Sequence, residues 1–292
     1  MAGSFGALGA DISCAVFNPA GLGRFSRSFA EITGIASRNV NNSTFNGQET
    51  QRIAGKGGIS GLGMVITSDI SERGNGILYQ QLGFGLNRIE GFHNVFRYEG
   101  QQYASLLDGF TSQAEGIDPG SLNDYFPFSS NLAYQTSVIN YYAPTQTYSS
   151  LINSGDVIHN RTVETNGGQN ELFVSYSFNY LNKLYLGASV GFRHHKYEEK
   201  MKHNEALTDT NGTPLRSFNY HYDLFTSGWG TNLKFGAIYL FNESFRAGLS
   251  LHSPTFGELT DSWSASMSSQ FEDSTKVLAS NLVPSGNYKY RI

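Results

Sequence analysis

The sequence is short of charge. Asp, Glu, Lys and Arg make up 15% of the chain, against roughly 25% in ordinary soluble domains. The 20 basic and 24 acidic residues leave a net charge of -4 with no basic stripe, so a nucleic-acid partner is not expected. A single cysteine, Cys14, excludes an internal disulfide and a thiolate zinc site, and is expected as a small packed residue. No run of 18 or more apolar residues occurs, which excludes a transmembrane helix. A membrane β-barrel stays open, because its alternating strands give little hydropathy signal, and the mean hydropathy of -0.32 does not bear on it. Met1 opens on Ala-Gly-Ser-Phe-Gly without a basic or apolar leader. The sequence also lacks a Gly-x-Ser-x-Gly elbow, a phosphate loop and a zinc-spaced cluster. No enzyme activity, cofactor or metal is therefore expected.

What the chain does have is aromatic and small. It carries 17 Tyr, 21 Phe and 33 Gly. Between Glu171 and Phe192, Leu172, Val174, Tyr176, Phe178 and Tyr180 fall on one face and Glu171, Phe173, Ser175, Ser177 and Asn179 on the other. After Leu181-Asn182-Lys183 the alternation resumes, with Leu184, Leu186, Ala188, Val190 and Phe192 against Tyr185, Gly187, Ser189 and Gly191. Side chains repeat every two residues on a strand, and each arm has the roughly ten residues that a tilted strand needs to cross a bilayer. The pattern returns from Asn232 to His252, with Leu233, Phe235, Ala237, Tyr239 and Phe241 opposite Asn232, Lys234, Gly236 and Ile238. Earlier strands are predicted at Phe29 to Asn39, Ile53 to Thr67 and Ile77 to Ile89.

These patterns predict an all-β, antiparallel outer-membrane β-barrel over residues 29–292, preceded by a hatch or plug over residues 1–28. About ten strands are expected, and the alternation that opens at Tyr288 stops at Ile292. Lipid tolerates no unpaired edge, so the expectation is an incomplete barrel whose closing strands, like a signal peptide, lie outside the sequence. From about Phe92 to Gly168 the alternation dissolves, and a long extracellular connection is expected there, with short helices near Tyr103 to Phe110 and Ser121 to Tyr125. A second loop is expected from Lys202 to Phe218, turning at Asp209-Thr210-Asn211-Gly212. Adjacent His194 and His195 point to opposite faces of a strand, so with His203 downstream they do not read as a chelating set.

The N-terminal residues are of another kind. Gly6-Ala7-Leu8-Gly9-Ala10-Asp11-Ile12-Ser13 leads into Phe17-Asn18-Pro19-Ala20-Gly21-Leu22. Proline biases Asn18 away from the helical region and Gly21 permits a tight bend, a compact plug with small residues for close approach. Together with Gly228 to Tyr239 and Phe245 to Phe256, this segment resembles the FadL/TodX family of outer-membrane transport proteins for hydrophobic compounds. The resemblance implies a monomeric barrel in the bacterial outer membrane. An N-terminal hatch would occlude it, and long-chain fatty acids or aromatic hydrocarbons would enter from outside and leave through the wall. It implies gating by Phe17, Asn18, Pro19, Ala20 and Gly21. Phe126, Phe128, Tyr134, Tyr141 and Tyr142 could line a cleft for an apolar ligand, or form an aromatic girdle or loop packing. The other reading is an outer-membrane docking or secretion-shuttle barrel without small-molecule transport.

Overall fold

The computed structural model describes residues 4–152, 157–208, 212–242, 244–273, 277–279 and 285–291. A short N-terminal segment precedes the sheet: a 3-10 turn Ser4–Ala7, helix α1 (Cys14–Phe17) and a second 3-10 turn, Pro19–Arg24. Then follow β1 (Phe29–Phe45), β2 (Gln48–Asp69), β3 (Ile77–Gly91) and β4 (Asn94–Gln102). Helices α2 (Leu106–Ala114), α3 (Leu122–Tyr125) and α4 (Ser130–Gln135) and the hairpin β5 (Ile139–Tyr142)–β6 (Thr147–Ser150) come next. The long strands β7 (Val157–Tyr180), β8 (Leu184–Leu207) and β9 (Leu215–Leu240) lead to β10 (Arg246–His252), β11 (Phe256–Phe271), β12 (Val277–Ala279) and β13 (Ser285–Arg291). No helix among the described residues is long and apolar enough to cross a membrane.

Eleven strands of the described residues form one antiparallel sheet, in the order β1-β2-β3-β7-β8-β9-β11-β12, with β4 on β7, β10 on β9 and β13 on β11. Among the described residues this sheet is open, with β1 paired only to β2. The β7–β8 turn closes as the alternation predicts: Leu181 and Asn182 take positive φ, and the Lys183 N–H donates to the Tyr180 carbonyl at 3.0 Å. Those signs belong to the turn whose twist matches paired strands.

The two faces of the sheet are chemically inverted relative to a soluble protein. One face carries Leu172, Val174, Tyr176, Leu233, Phe235 and Tyr239, and all of these are exposed; Phe235 is 56% accessible. The opposite face carries Glu171, Ser175, Ser177, Asn179, Ser189, Asn232 and Lys234, all buried. In water this arrangement would leave a broad apolar surface uncovered. We call the two the bare face and the covered face.

The region from 92 to 168 is more ordered than its composition suggests. The structure places β4 and the first part of β7 there, paired from Asn94↔Thr165 to Gln102↔Val157. These residues mix polar and apolar side chains on both faces, so no alternation betrays them. The expected helices are present as α2 and α3, with α4 in addition. The second loop is shorter than expected, since β8 runs to Leu207 and β9 starts at Leu215; Asp209, Thr210 and Asn211 lie outside the described residues. Over this end of the sheet Leu107, Phe110, Leu132, Val138 and Ile139 pack on Phe218, Tyr220, Ala265 and Met267, a small core of ordinary hydrophobic character.

Candidate functional site

The N-terminal segment lies across the covered face, and its fold follows from few residues. Gly9 and Ala10 both take positive φ, and the Ala10 N–H donates to the Gly21 carbonyl at 2.9 Å, so the segment closes on itself. The Asp11 carboxylate accepts from the Ser13 N–H at 2.7 Å just before α1. Asn18 is extended (φ -150°, ψ 97°), as a residue before proline should be. Its side chain is the hub. Oδ1 accepts from the Ala20 N–H at 3.1 Å, capping the second 3-10 turn, while Nδ2 donates to the Gly6 carbonyl at 2.6 Å and the Ala237 carbonyl at 3.4 Å. One buried amide thus joins both ends of the segment to β9. Replacing it with alanine leaves the Ala20 N–H and the Gly6 carbonyl unpaired. We expect N18A to destabilise the docked segment by about 1–2 kcal/mol, read as faster amide exchange over residues 6–24 than over β7–β9.

The sheet meets this segment with a row of small and polar residues directly opposite one another: Gln81 on β3, Ser177 on β7, Gly187 on β8 and Gly236 on β9. Gln81 Nε2 donates to the carbonyls of Gly23 (3.2 Å) and Phe25 (2.8 Å), and Ser177 Oγ donates to the Pro19 carbonyl at 2.6 Å. Gly187 and Gly236 are needed for closeness. A Cβ on Gly187 would lie 2.5 Å from the Pro19 carbonyl and 2.6 Å from the Ala20 nitrogen, and one on Gly236 would strike the Asn18 amide. Beside them Leu22, Ile12, Cys14 and Val16 bury against Val65 and Phe173. Burial pushes the Cys14 thiol up to about 11, so it stays protonated and unreactive while the segment is docked.

A cavity of about 210 Å³ lies beside the segment, lined by Asp11, Ile12 and Ser13 from it and by Glu31, Thr33, Ser60, Gly63, Asn87 and Phe173 from the sheet. The β1–β2 register shifts between Thr33 and Gly34 at this point. On the bare face an apolar hollow is lined by Ala30, Leu62, Met64, Phe84, Leu86, Leu172 and Val174. The two hollows share Leu62, Gly63, Leu86 and Phe173. Between them Gly63 stands directly opposite Gly85, so the wall there has no side chains on its covered side from either strand.

Of the residues expected from sequence, Asn18, Pro19, Ala20 and Gly21 come together, all buried against the covered face. Phe17 differs: its ring is exposed and its carbonyl contacts His252 Nε2 at 2.8 Å. The aromatic set does not converge on this site. Tyr134 and Tyr141 gather around Tyr148, Phe128 meets Trp263, Tyr142 is exposed, and Phe126 follows the last turn of α3. No family model matches the chain, and no curated protein sequence matches it. The residues that hold the segment from the sheet side, Gln81, Ser177, Gly187 and Gly236, were not singled out from sequence. Their signal was the small or polar character of every second residue on the covered face.

A second group lies close by. Glu171 on β7, fully buried, pairs with Lys234 Nζ and accepts from Arg193 Nη2 and Asn232 Nδ2 at 3.1 Å each. The partners Lys234 and Asn232 come from β9 and reach Glu171 across β8 at Gly191, where a Cβ would lie 2.7 Å from both Glu171 and Asn232.

Proposed function

We propose that the chain belongs to an outer-membrane β-barrel that passes hydrophobic small molecules, with residues 4–24 as its hatch. The observation that carries this reading is the pairing of an apolar bare face with a covered face whose glycine row seats a separate N-terminal segment. Lipid accounts for the exposed Leu, Phe and Tyr side chains, and a plug accounts for the close seating that a solvent-filled lumen would not require. The apolar hollow on the bare face, separated by the Gly63–Gly85 wall from the mixed polar cavity beside Asp11 and Ile12, supports an apolar cargo such as a long-chain fatty acid or an aromatic hydrocarbon. The reading needs no cofactor and no catalytic residue.

Two measurements test it. Leu233 sits on the bare face, and arginine there should cost about 2–4 kcal/mol near the bilayer midplane. In phospholipid vesicles L233R should therefore lower unfolding free energy by that amount, and an unchanged value would remove the membrane assignment. For transport, deletion of residues 4–21 should change entry of a fluorescent long-chain fatty acid into cells with a second, outer membrane. Unchanged entry, with the protein inserted, would remove the hatch role and leave a docking barrel.

A further inference from the structure

Away from the hatch, near α2, the sheet carries a second cluster whose donors are those of a transition-metal site. His203 and Glu205 stand two residues apart on β8, and His159 on β7 is directly opposite Glu205 in the register. Side chains at i and i+2 share a face, and opposed residues on neighbouring strands bring their Cβ atoms within about 5 Å. The three therefore form a triangle on the covered face. One ligand atom from each lies within 4.8 Å of the others. Glu205 Oε1 is 2.8 Å from His203 Nε2 and 3.5 Å from His159 Nδ1. Donors at roughly 2.1 Å from a tetrahedral zinc are spaced by about 3.4 Å, so the triangle needs little movement to close on an ion.

Hydrogen bonding alone explains the cluster only in part. Glu205 accepts from Ser105 Oγ at 2.5 Å and from the Leu106 N–H at 2.8 Å, which ties the start of α2 to the sheet. His203 Nδ1 accepts from Arg161 Nε at 3.1 Å, so its own proton sits on Nε2 and points to Glu205. His159 turns Nδ1 towards the same carboxylate at 3.5 Å, too far for a strong hydrogen bond. It is 6% exposed, and its Nε2 is buried without a hydrogen-bond partner.

We propose that His159, His203 and Glu205 bind a divalent transition metal of the zinc class, leaving one position for water. The donor set of two imidazoles and a carboxylate selects zinc, cobalt or nickel over calcium and magnesium. Because Glu205 also holds the N-terminus of α2, the ion would clamp the outer helices to β7 and β8. Arg161 opposes loading. It brings positive charge beside the site and donates to His203 Nδ1, which must itself carry a proton once Nε2 ligates, and a guanidinium cannot accept that proton. Its planar group already lies 5.8 Å over the Tyr98 ring, the place to which it can withdraw.

That opposition supplies a test that a purely structural cluster would fail. The full chain, folded in detergent micelles, is titrated with Co²⁺ and with Zn²⁺, following cobalt d–d absorption and heat. One ion per chain should bind. H159F, which removes a side chain whose nearest polar contact is 3.5 Å away, should reduce affinity at least 100-fold while circular dichroism stays unchanged. R161Q should tighten binding at least tenfold, since glutamine removes the charge and can accept from Nδ1–H. If no ion binds, or if binding survives H159F, or if R161Q binds no better than the parent chain, the proposal is wrong.

Discussion

Replacing Gly187 with leucine should lift the N-terminal segment off the sheet and turn Cys14 from an inert thiol into a reactive one. The contacts at Gly187 are with the backbone of Pro19 and Ala20, at 2.5–2.6 Å from a would-be Cβ, so no flexible side chain can give way. Overpacking of this kind costs about 1–3 kcal/mol, and here the strain is relieved most easily by undocking the segment rather than by bending β8, which is paired along its length with β7 and β9. Each 1–2 kcal/mol shifts the docked population by a factor of roughly 5–30. The thiol reports this directly. Docked, Cys14 is 2% exposed and its ionisation is pushed up to about 11; undocked, it returns to a solvated thiol, with about 100-fold more thiolate at mildly alkaline pH. Maleimide labelling at pH 8 should therefore accelerate at least tenfold in G187L. Gly58 is the control, since a Cβ there meets nothing within 4 Å, and G58A should label at the parent rate. Unaltered protection in G187L would mean that the segment is not seated by that glycine.

How much of this was legible before the structure depended on whether the information is local. The two-faced hairpin from Glu171 to Phe192 is local: period-two alternation fixes which residues share a face, and the exposure of Leu172, Val174 and Tyr176 against burial of Glu171, Ser175 and Ser177 follows it residue by residue. The break at Asn18–Pro19 is local too, because proline constrains its predecessor whatever surrounds it. β4 and the outer part of β7 were not legible. With Arg97, Glu99, Asn160, Arg161 and Glu164 along them, neither face is apolar, and pairing there rests on the ladder and on long-range neighbours. For the aromatic residues from Phe126 to Tyr142 the sequence leaves ligand lining and loop packing both open, because aromatic content does not say which neighbours a ring will meet.

Register is the other hidden variable. Separation of His194 from His195 held, with His194 packed on Trp229 at 4.5 Å between ring centres and His195 in contact with Gln169 on the other face. The juxtaposition that matters joins His203 to His159, 44 positions earlier in the chain. A shift of one residue in the β7–β8 pairing would have sent one of them to the opposite face. The contacts of Gln81, Ser177, Gly187 and Gly236 with the N-terminal segment come from four strands and become a row only once three registers are fixed.

The same non-local logic governs the ionic centre on the covered face, where E171Q should be the most destabilising single change. The substitution removes the carboxylate that faces Lys234 and Arg193 and leaves two cations with a neutral amide, Lys234 only 2% exposed at its side chain. Breaking a buried pair from one side costs about 3–5 kcal/mol, chiefly because the surviving charge keeps its desolvation penalty. Removing both partners together is a different matter. In E171M/K234M the lysine charge goes with the carboxylate, Arg193, which is partly exposed, can turn towards solvent, and two apolar side chains of similar length fill the space. Pairs replaced in this way are often neutral in stability, so the double variant should recover most of the loss seen in E171Q. The measurement is the unfolding free energy in urea for E171Q, for the single variants E171M and K234M, and for the double. Strict additivity would show that Glu171 and Lys234 act independently. Gly191 supplies an internal check. Because Lys234 and Asn232 reach Glu171 over that glycine, G191V should separate the partners without altering any charge, and its cost should approach that of E171Q.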